Sequence, residues 1–341
     1  MPEVSFSRGN TKGINAMSRP TLQEALDFLL DEDKDMHDGS LFRYTKIFSD
    51  LTPTQQKTLS SVWDEIPLSR KHALLAHLKV ELEIDLLYSF DVFARPLLDD
   101  EDAIVRSFAI RLLEEYDGED LIPRLLEIAS NDPSTETRAE AISTLGFYIY
   151  YGEMEEISAK NLKKIEETLL QIAQHEEKAK FKQRAVEALG FSSRKEVPAL
   201  IKEAWERDAA LWKASAVSAM GRSYDSVWED QILEALVDVN ENIRLAATKA
   251  AGNLSLATAR PILLQLLTEE NDEIVLKAAI WSLTEIGGED VREYLHALLD
   301  EYGDEEEEQI AYLEDALANL DFTEDIQQFD ILNYDPENED Y

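Results

Sequence analysis

Three ten-residue segments recur at a fixed step of 31 residues: FKQRAVEALG from Phe181 to Gly190, WKASAVSAMG from Trp212 to Gly221, and IRLAATKAAG from Ile243 to Gly252. VRSFAIRLLE (Val105 to Glu114), TRAEAISTLG (Thr137 to Gly146) and VLKAAIWSLT (Val275 to Thr284) align with them without gaps, giving steps of 32, 44, 31, 31 and 32. Position one, the small residue at position five and the apolar residue at position nine are spaced i, i+4, i+8, which is one stripe of an α-helix. Ala185, Ala216 and Ala247 in the middle of that stripe are expected to let neighbouring helix backbones approach closely. After each copy comes a short break and a second apolar helix: VPALIKEAW, WEDQILEALV, ARPILLQLL and VREYLHALL. A single hairpin of about 31 residues cannot bury its own apolar faces, so each must lean on the next. The predicted fold is all-α: a right-handed α-solenoid of stacked helical hairpins.

These segments resemble HEAT repeats of the phycobilisome-lyase-like type, whose pattern is roughly V-R-x-x-A-x-x-A-L-G followed by a second helix. The resemblance covers about residues 99–300, is weaker over 20–98, and implies a HEAT/armadillo-type superhelix acting as a binding scaffold. Glu114 and Thr284 stand where the pattern has glycine, and Leu276 where it has a cation. The glycine replacements are expected to alter local turns.

The remaining organisation follows from local signals. Residues 1–19 read as a disordered tail, 20–98 as divergent helical repeats, 99–321 as the solenoid and 322–341 as an acidic disordered tail. Thr21 with Glu24 is expected to begin a helix as a capping box, and TPTQ from Thr52 to Gln55 to begin another, with Thr52 as the cap and Pro53 at the first helical position. Ser193 with Glu196 and Ser226 with Glu229 have the same spacing. The extra dozen residues of the 44-residue step fall around FYIYYGEMEE, Phe147 to Glu156. Tyr148, Tyr150 and Tyr151 there either meet a partner or close a longer helix onto the core.

Chemistry is sparse. The five histidines (His37, His72, His77, His175 and His296) form no metal motif, and there is no cysteine. His-Glu pairs recur across the repeats of deoxyhypusine hydroxylase, which this chain resembles in fold; here His175-Glu176 is the one such dipeptide. An enzyme or enzyme accessory of the bilin-lyase-like or hydroxylase-like oxidoreductase kind is therefore the alternative to a non-enzymatic scaffold. Asp31, Asp33 and Asp35 mimic the start of a calcium loop, but Met36 and Phe42 occupy the places where that loop needs Gly and Glu. No cofactor and no metal are expected.

Charge is the most informative functional clue. The chain holds 71 acidic and 33 basic residues, a formal net charge of −38, which disfavours nucleic acid and anionic membranes as partners. No stretch is apolar enough to serve as a signal peptide or membrane span, and a cytoplasmic location is expected. From Lys178 to Arg222, however, ten Lys or Arg stand against five Asp or Glu, whereas 18 acids and no base follow Arg292. The expected partner is a protein, through an acidic segment. Its contacts would be Lys182, Arg184, Arg194, Lys195 and Lys202, with Trp205 or Trp212 as aromatic anchors, on a concave surface lined by the second helices. The competing reading makes Lys182, Lys213 and Arg244 a structural ladder shared with Arg106 and Arg138, and gives Trp212 a core position. The acidic tail itself is a second candidate occupant of the same surface.

Overall fold

The structure, a computed structural model, describes residues 20–36, 39–85, 87–301 and 307–328. Among them there is no strand. Helices account for the fold, in two compact units that divide between Tyr116 and Asp117.

The first unit contains α1 (Leu22–Leu30), α2 (Thr45–Ser49), α3 (Pro53–Val62), α4 (Leu68–Ile84), α5 (Asp91–Ala94) and α6 (Ala103–Leu112). The expected capping box at Thr21 forms, and Thr52 caps α3 as expected, with Gln55 completing a second box: the Glu24 amide donates to Thr21 Oγ1 and the Gln55 amide to Thr52 Oγ1, each at 3.3 Å. Phe48 and Trp63 meet Phe93 edge-on in the core, with ring centroids 5.2 and 5.8 Å apart. Arg70 is buried because it closes the end of α1, donating to the carbonyls of Phe28, Leu29 and Lys34 at 2.7–2.8 Å. Charged hydrogen bonds to the last carbonyls of a helix also oppose its terminal partial charge. The segment VRSFAIRLLE becomes α6 and packs on α4. The first copy of the repeat therefore packs within the N-terminal unit.

The second unit contains α7 (Ile122–Asn131), α8 (Thr135–Glu153), α9 (Ala159–His175), α10 (Ala179–Leu189), α11 (Val197–Trp205) and α12 (Ala210–Arg222). These are followed by α13 (Glu229–Leu236), α14 (Glu241–Asn253), α15 (Arg260–Glu269), α16 (Glu273–Ile286), α17 (Glu289–Glu301) and α18 (Glu307–Gln328). The pattern-bearing helices α8, α10, α12, α14 and α16, with α18 after them, each pack on the next of the series. The second helices pack mainly on their own hairpin and its neighbour. This is an α-solenoid of stacked hairpins. The 44-residue step is absorbed by lengthening one hairpin: α8 has 19 residues and α9 has 17.

The glycine at position ten explains the close layer. A Cβ added at Gly190 would lie 2.7 Å from Ala219 Cα, and one at Gly221 would lie 2.6 Å from Ala250 Cα. Gly146 stands in the same relation to Ala188, and Gly252 to Ser282. Each glycine is thus seated on the small residue at position eight of the next repeat. Ala185, Ala216 and Ala247 are fully buried, but the tightest backbone approach is made elsewhere on the helix. The glycines serve helix packing rather than turns, which corrects the expectation about Glu114 and Thr284. At Thr284 the α16–α18 junction is polar: its hydroxyl accepts from Asn319 Nδ2 at 2.8 Å.

Other local expectations change as well. The Ser193–Glu196 and Ser226–Glu229 boxes do not form, because both acids are engaged elsewhere. Glu196 accepts from Arg194 at 2.9 Å, and Glu229 accepts from the Thr258 hydroxyl at 2.7 Å. Residues 322–328, assigned to the acidic tail by sequence, continue α18. They belong to the helix because Arg292 holds Asp321 and Glu324, both at 2.6 Å, and so ties α18 to α17. Residues 1–19, His37, Asp38 and 329–341 lie outside the described residues. No described helix is long and apolar enough to cross a membrane.

Candidate partner-binding surface

The outward faces of the tightly stacked helices carry two adjoining grooves in the second unit. One, of about 570 Å³, lies over α10, α12 and α14; the other, of about 780 Å³, lies over α12, α14 and α16 and reaches Tyr312 of α18. Ser218, Ala246 and Lys249 line both, so they form one continuous furrow. The small residues that the stacking demands leave its floor shallow and open.

The furrow is basic in an acidic protein. Lys180, Arg184, Arg222, Lys249 and Lys277 line it, against Glu187 and Glu285: five cations to two carboxylates. Some of that charge is already engaged. Lys180 pairs with Glu136, Arg184 with Glu187 at 2.5 Å, and Lys277 with Glu273 at 2.7 Å. Arg222 donates to the Glu187 carbonyl at 3.1 Å and lies over the Phe191 ring at 5.0 Å. Lys249 is exposed and has no ion pair among the described residues. Apolar anchors flank these cations: Trp281 keeps 43% of its surface exposed, Tyr224 60% and Ile274 64%. Aromatic side chains beside cations can hold both the charge and the apolar part of a peptide.

The sequence-predicted contact residues do not form one cluster. Arg184 alone among them lines the furrow. Lys182 donates to the Gln174 carbonyl at 3.2 Å. Arg138 and Arg244, at the same repeat position, bind the carbonyls of Ala129 and Asp238 at 3.0 and 2.9 Å and the carboxylates of Glu176 and Glu270, each at 2.7 Å. These cations form a structural ladder: the carbonyl contacts tie each helix to the end of the one before, and the two arginine–carboxylate pairs tie it to the end of the one after. The strength of one rung shows in Glu270, whose carboxyl is held down to about 2 by its hydrogen bond to Arg244, against burial that acts the other way. Lys213 lies 5.4 Å from the Trp205 ring, and Leu276 replaces the cation altogether.

Arg194 is spent on Glu196 at the start of α11, while Lys195 is exposed beside it and Lys202 projects from α11 with Glu206 at 3.9 Å. Trp212 is half-buried rather than in the core: its large ring emerges far enough for Arg207 to cover it at 4.2 Å. Trp205 is likewise half-buried. Tyr148 is 1% exposed, which removes it from any contact surface. Tyr150 and Tyr151 are half-buried in an aromatic cluster with Phe191, so the inserted segment closes a longer helix onto the core.

The basic furrow is thus not on the second helices, although a smaller groove of about 300 Å³ is lined by α13 and α15. Lys249, Lys277, Arg222 and Trp281 escaped the sequence reading because they are scattered over three repeats; the signal that finds them is their common i, i+4 register, at positions three, seven and eleven of the pattern on α12, α14 and α16. The one His-Glu dipeptide, at the end of α9, gives its carboxylate to Arg138. No group of three or more potential metal ligands gathers among the described residues.

Two-helix units that contact mainly their immediate neighbours define an α-solenoid. The particular repeat is HEAT: the HEAT-repeat profile matches residues 93–165 and 229–319, so the chain carries HEAT repeats over those residues. Among solved structures, the complex of CpcE and CpcF of phycocyanin lyase from Nostoc is 15% identical at a TM-score of 0.43, covering 94% of this chain and 100% of that one. YibA of E. coli is 18% identical at a TM-score of 0.40, with coverages of 84% and 99%. Human deoxyhypusine hydroxylase is 15% identical at 0.35, with coverages of 78% and 95%. At these scores the likenesses carry no argument about activity or ligand. No curated protein matches the chain.

Proposed function

We propose that this protein is a non-enzymatic scaffold that binds another protein, and that an acidic segment of that partner lies along the furrow over α10, α12, α14 and α16. The observation that carries this reading is the inversion of charge: a groove lined by five cations and two carboxylates on a chain of net charge −38. Opposite charge steers such a segment to the groove and fixes its register more than it sets the final affinity. The exposed Trp281, Ile274 and Tyr224 supply apolar contact, and an open furrow suits an extended chain better than a small molecule.

The test is a titration of the full chain with a fluorescent Asp/Glu-rich peptide carrying one Phe, at low salt. The double variant Lys249→Glu and Lys277→Glu is expected to weaken binding at least about tenfold, since each reversal places like charges together. Lys195→Glu with Lys202→Glu, on the α11 side, is expected to leave it unchanged. Equal affinity of the groove variant and the parent would overturn the assignment; loss in the α11-side variant instead would move the site to the second helices.

A further inference from the structure

The furrow adjoins the helix from which the acidic C-terminal segment departs. We infer that residues 329–341 of the same chain lie in the furrow and compete with the partner, an inference that rests on the scaffold reading above and adds its regulation.

Three observations carry it. The first is charge complementarity. FDILNYDPENEDY holds five acids (Asp330, Asp335, Glu337, Glu339 and Asp340) and no Lys or Arg, while Lys249 in the furrow has no ion pair among the described residues. The second is where the segment starts. The hydroxyl of Tyr312 donates to the Lys277 carbonyl at 2.8 Å, and Asn319 reaches Thr284 and Glu285 at 2.8 and 2.9 Å. From Tyr312 to Asn319, α18 therefore follows α16 from its first turns to its last. Tyr312 itself lines the furrow, and the carboxylate end of α18 is held by Arg292 at Glu324.

The third is reach. The nine residues from Asn319 to Gln328 advance about 14 Å along the helix. Crossing from α18 to α12 takes three helix spacings of about 8–10 Å each, roughly 30 Å in all. Thirteen extended residues span about 43 Å, enough to return over α16 and α14 and reach Arg222. A segment tethered this closely acts at an effective concentration of the order of millimolar. A contact too weak to persist between separate molecules then suffices to occupy the furrow. Apolar Phe329, Ile331, Leu332 and Tyr334 accompany the acids, matching the aromatic and aliphatic anchors that flank the cations.

The experiment compares the full chain with the same chain carrying Asp330→Asn, Asp335→Asn, Glu337→Gln, Glu339→Gln and Asp340→Asn. The probe is a fluorescein-labelled peptide of sequence FDILNYDPENEDY, titrated by anisotropy at low salt. The neutralised chain is expected to bind the probe about tenfold more tightly than the parent, the gain disappearing when Lys249→Glu and Lys277→Glu are added. Equal affinity of parent and neutralised chains overturns the inference while leaving the scaffold reading intact. Absence of binding to the neutralised chain, by this probe and by the unrelated acidic peptide alike, overturns both. Sedimentation at the same concentrations is expected to show no salt-sensitive self-association; a dimer lost on neutralising the segment would place it in a second copy and overturn the intramolecular contact.

Discussion

At the scale of the residue, the glycine at position ten decides how closely the repeats stack. Gly190 is the sharpest case, because both atoms that a new Cβ would meet at 2.7 Å, the Cα and carbonyl oxygen of Ala219, are backbone and cannot swing aside. At Gly152 the nearest atoms, at 2.6–3.0 Å, belong to the flexible Leu162 side chain. Alanine favours a helix over glycine by about 1 kcal/mol, whereas overpacking costs about 1–3 kcal/mol. Gly190→Ala is therefore expected to lower the unfolding free energy by up to about 2 kcal/mol, with Gly152→Ala close to neutral, as read by urea denaturation. Equal effects at the two positions would show that the α10–α12 spacing is not set by this contact.

At the scale of the element, charged rungs join the two helices of a hairpin. Glu270 ends α15 and receives Arg244 from α14, along with the amides of Asn271 and Asp272 at 2.8 and 3.1 Å. Its carboxyl, held at about 2 rather than the ordinary 4.5, makes the folded state bind fewer protons than the unfolded one at mildly acid pH. The stabilisation is complete above about 4.5 and is lost as pH falls through that value toward 2. Glu270→Gln is expected to cost about 2 kcal/mol at pH 7, and the gap to the parent is expected to be visibly smaller at pH 4; a gap independent of pH would contradict an ionic rung. The element scale is also where sequence was most informative and where it ran out. Helix identity, the buried stripe, the capping box at Thr21 and the cap at Thr52 follow from spacing alone, because each depends on neighbours within one helical turn. The boxes at Ser193 and Ser226 failed because their acids found better partners, one in the next-but-one residue Arg194 and the other in the following repeat. The ladder role of Lys182 was legible as a repeat position, but the choice between ladder and contact surface needed the Gln174 carbonyl. The furrow was hidden because its residues come from four or five helices at unequal places along the pattern.

At the scale of the whole molecule, the net charge of −38 and the basic furrow must answer to salt in opposite directions. Like charges spread over a folded surface repel one another, and unfolding relieves that repulsion by moving them apart. The Debye length falls from about 30 Å at 0.01 M to about 8 Å at 0.15 M salt, so most of the repulsion between distant carboxylates is removed over that range. Ladder pairs such as Arg244–Glu270 lie within 3 Å and are half-buried or better, and they lose much less. The fold is thus expected to gain stability, with a melting temperature several degrees higher in 0.15 M NaCl than in 0.01 M. Over the same interval the acidic probe is expected to leave the furrow, since its attraction to Lys249 and Lys277 acts through water at an open surface. Measured together on one sample, by thermal unfolding and by anisotropy, the two responses separate global repulsion from local attraction. A melting temperature that falls with salt would mean that the surface ion pairs outweigh the excess of acid; a probe affinity indifferent to salt would mean that Trp281 and its apolar neighbours, rather than the lysines, hold the ligand.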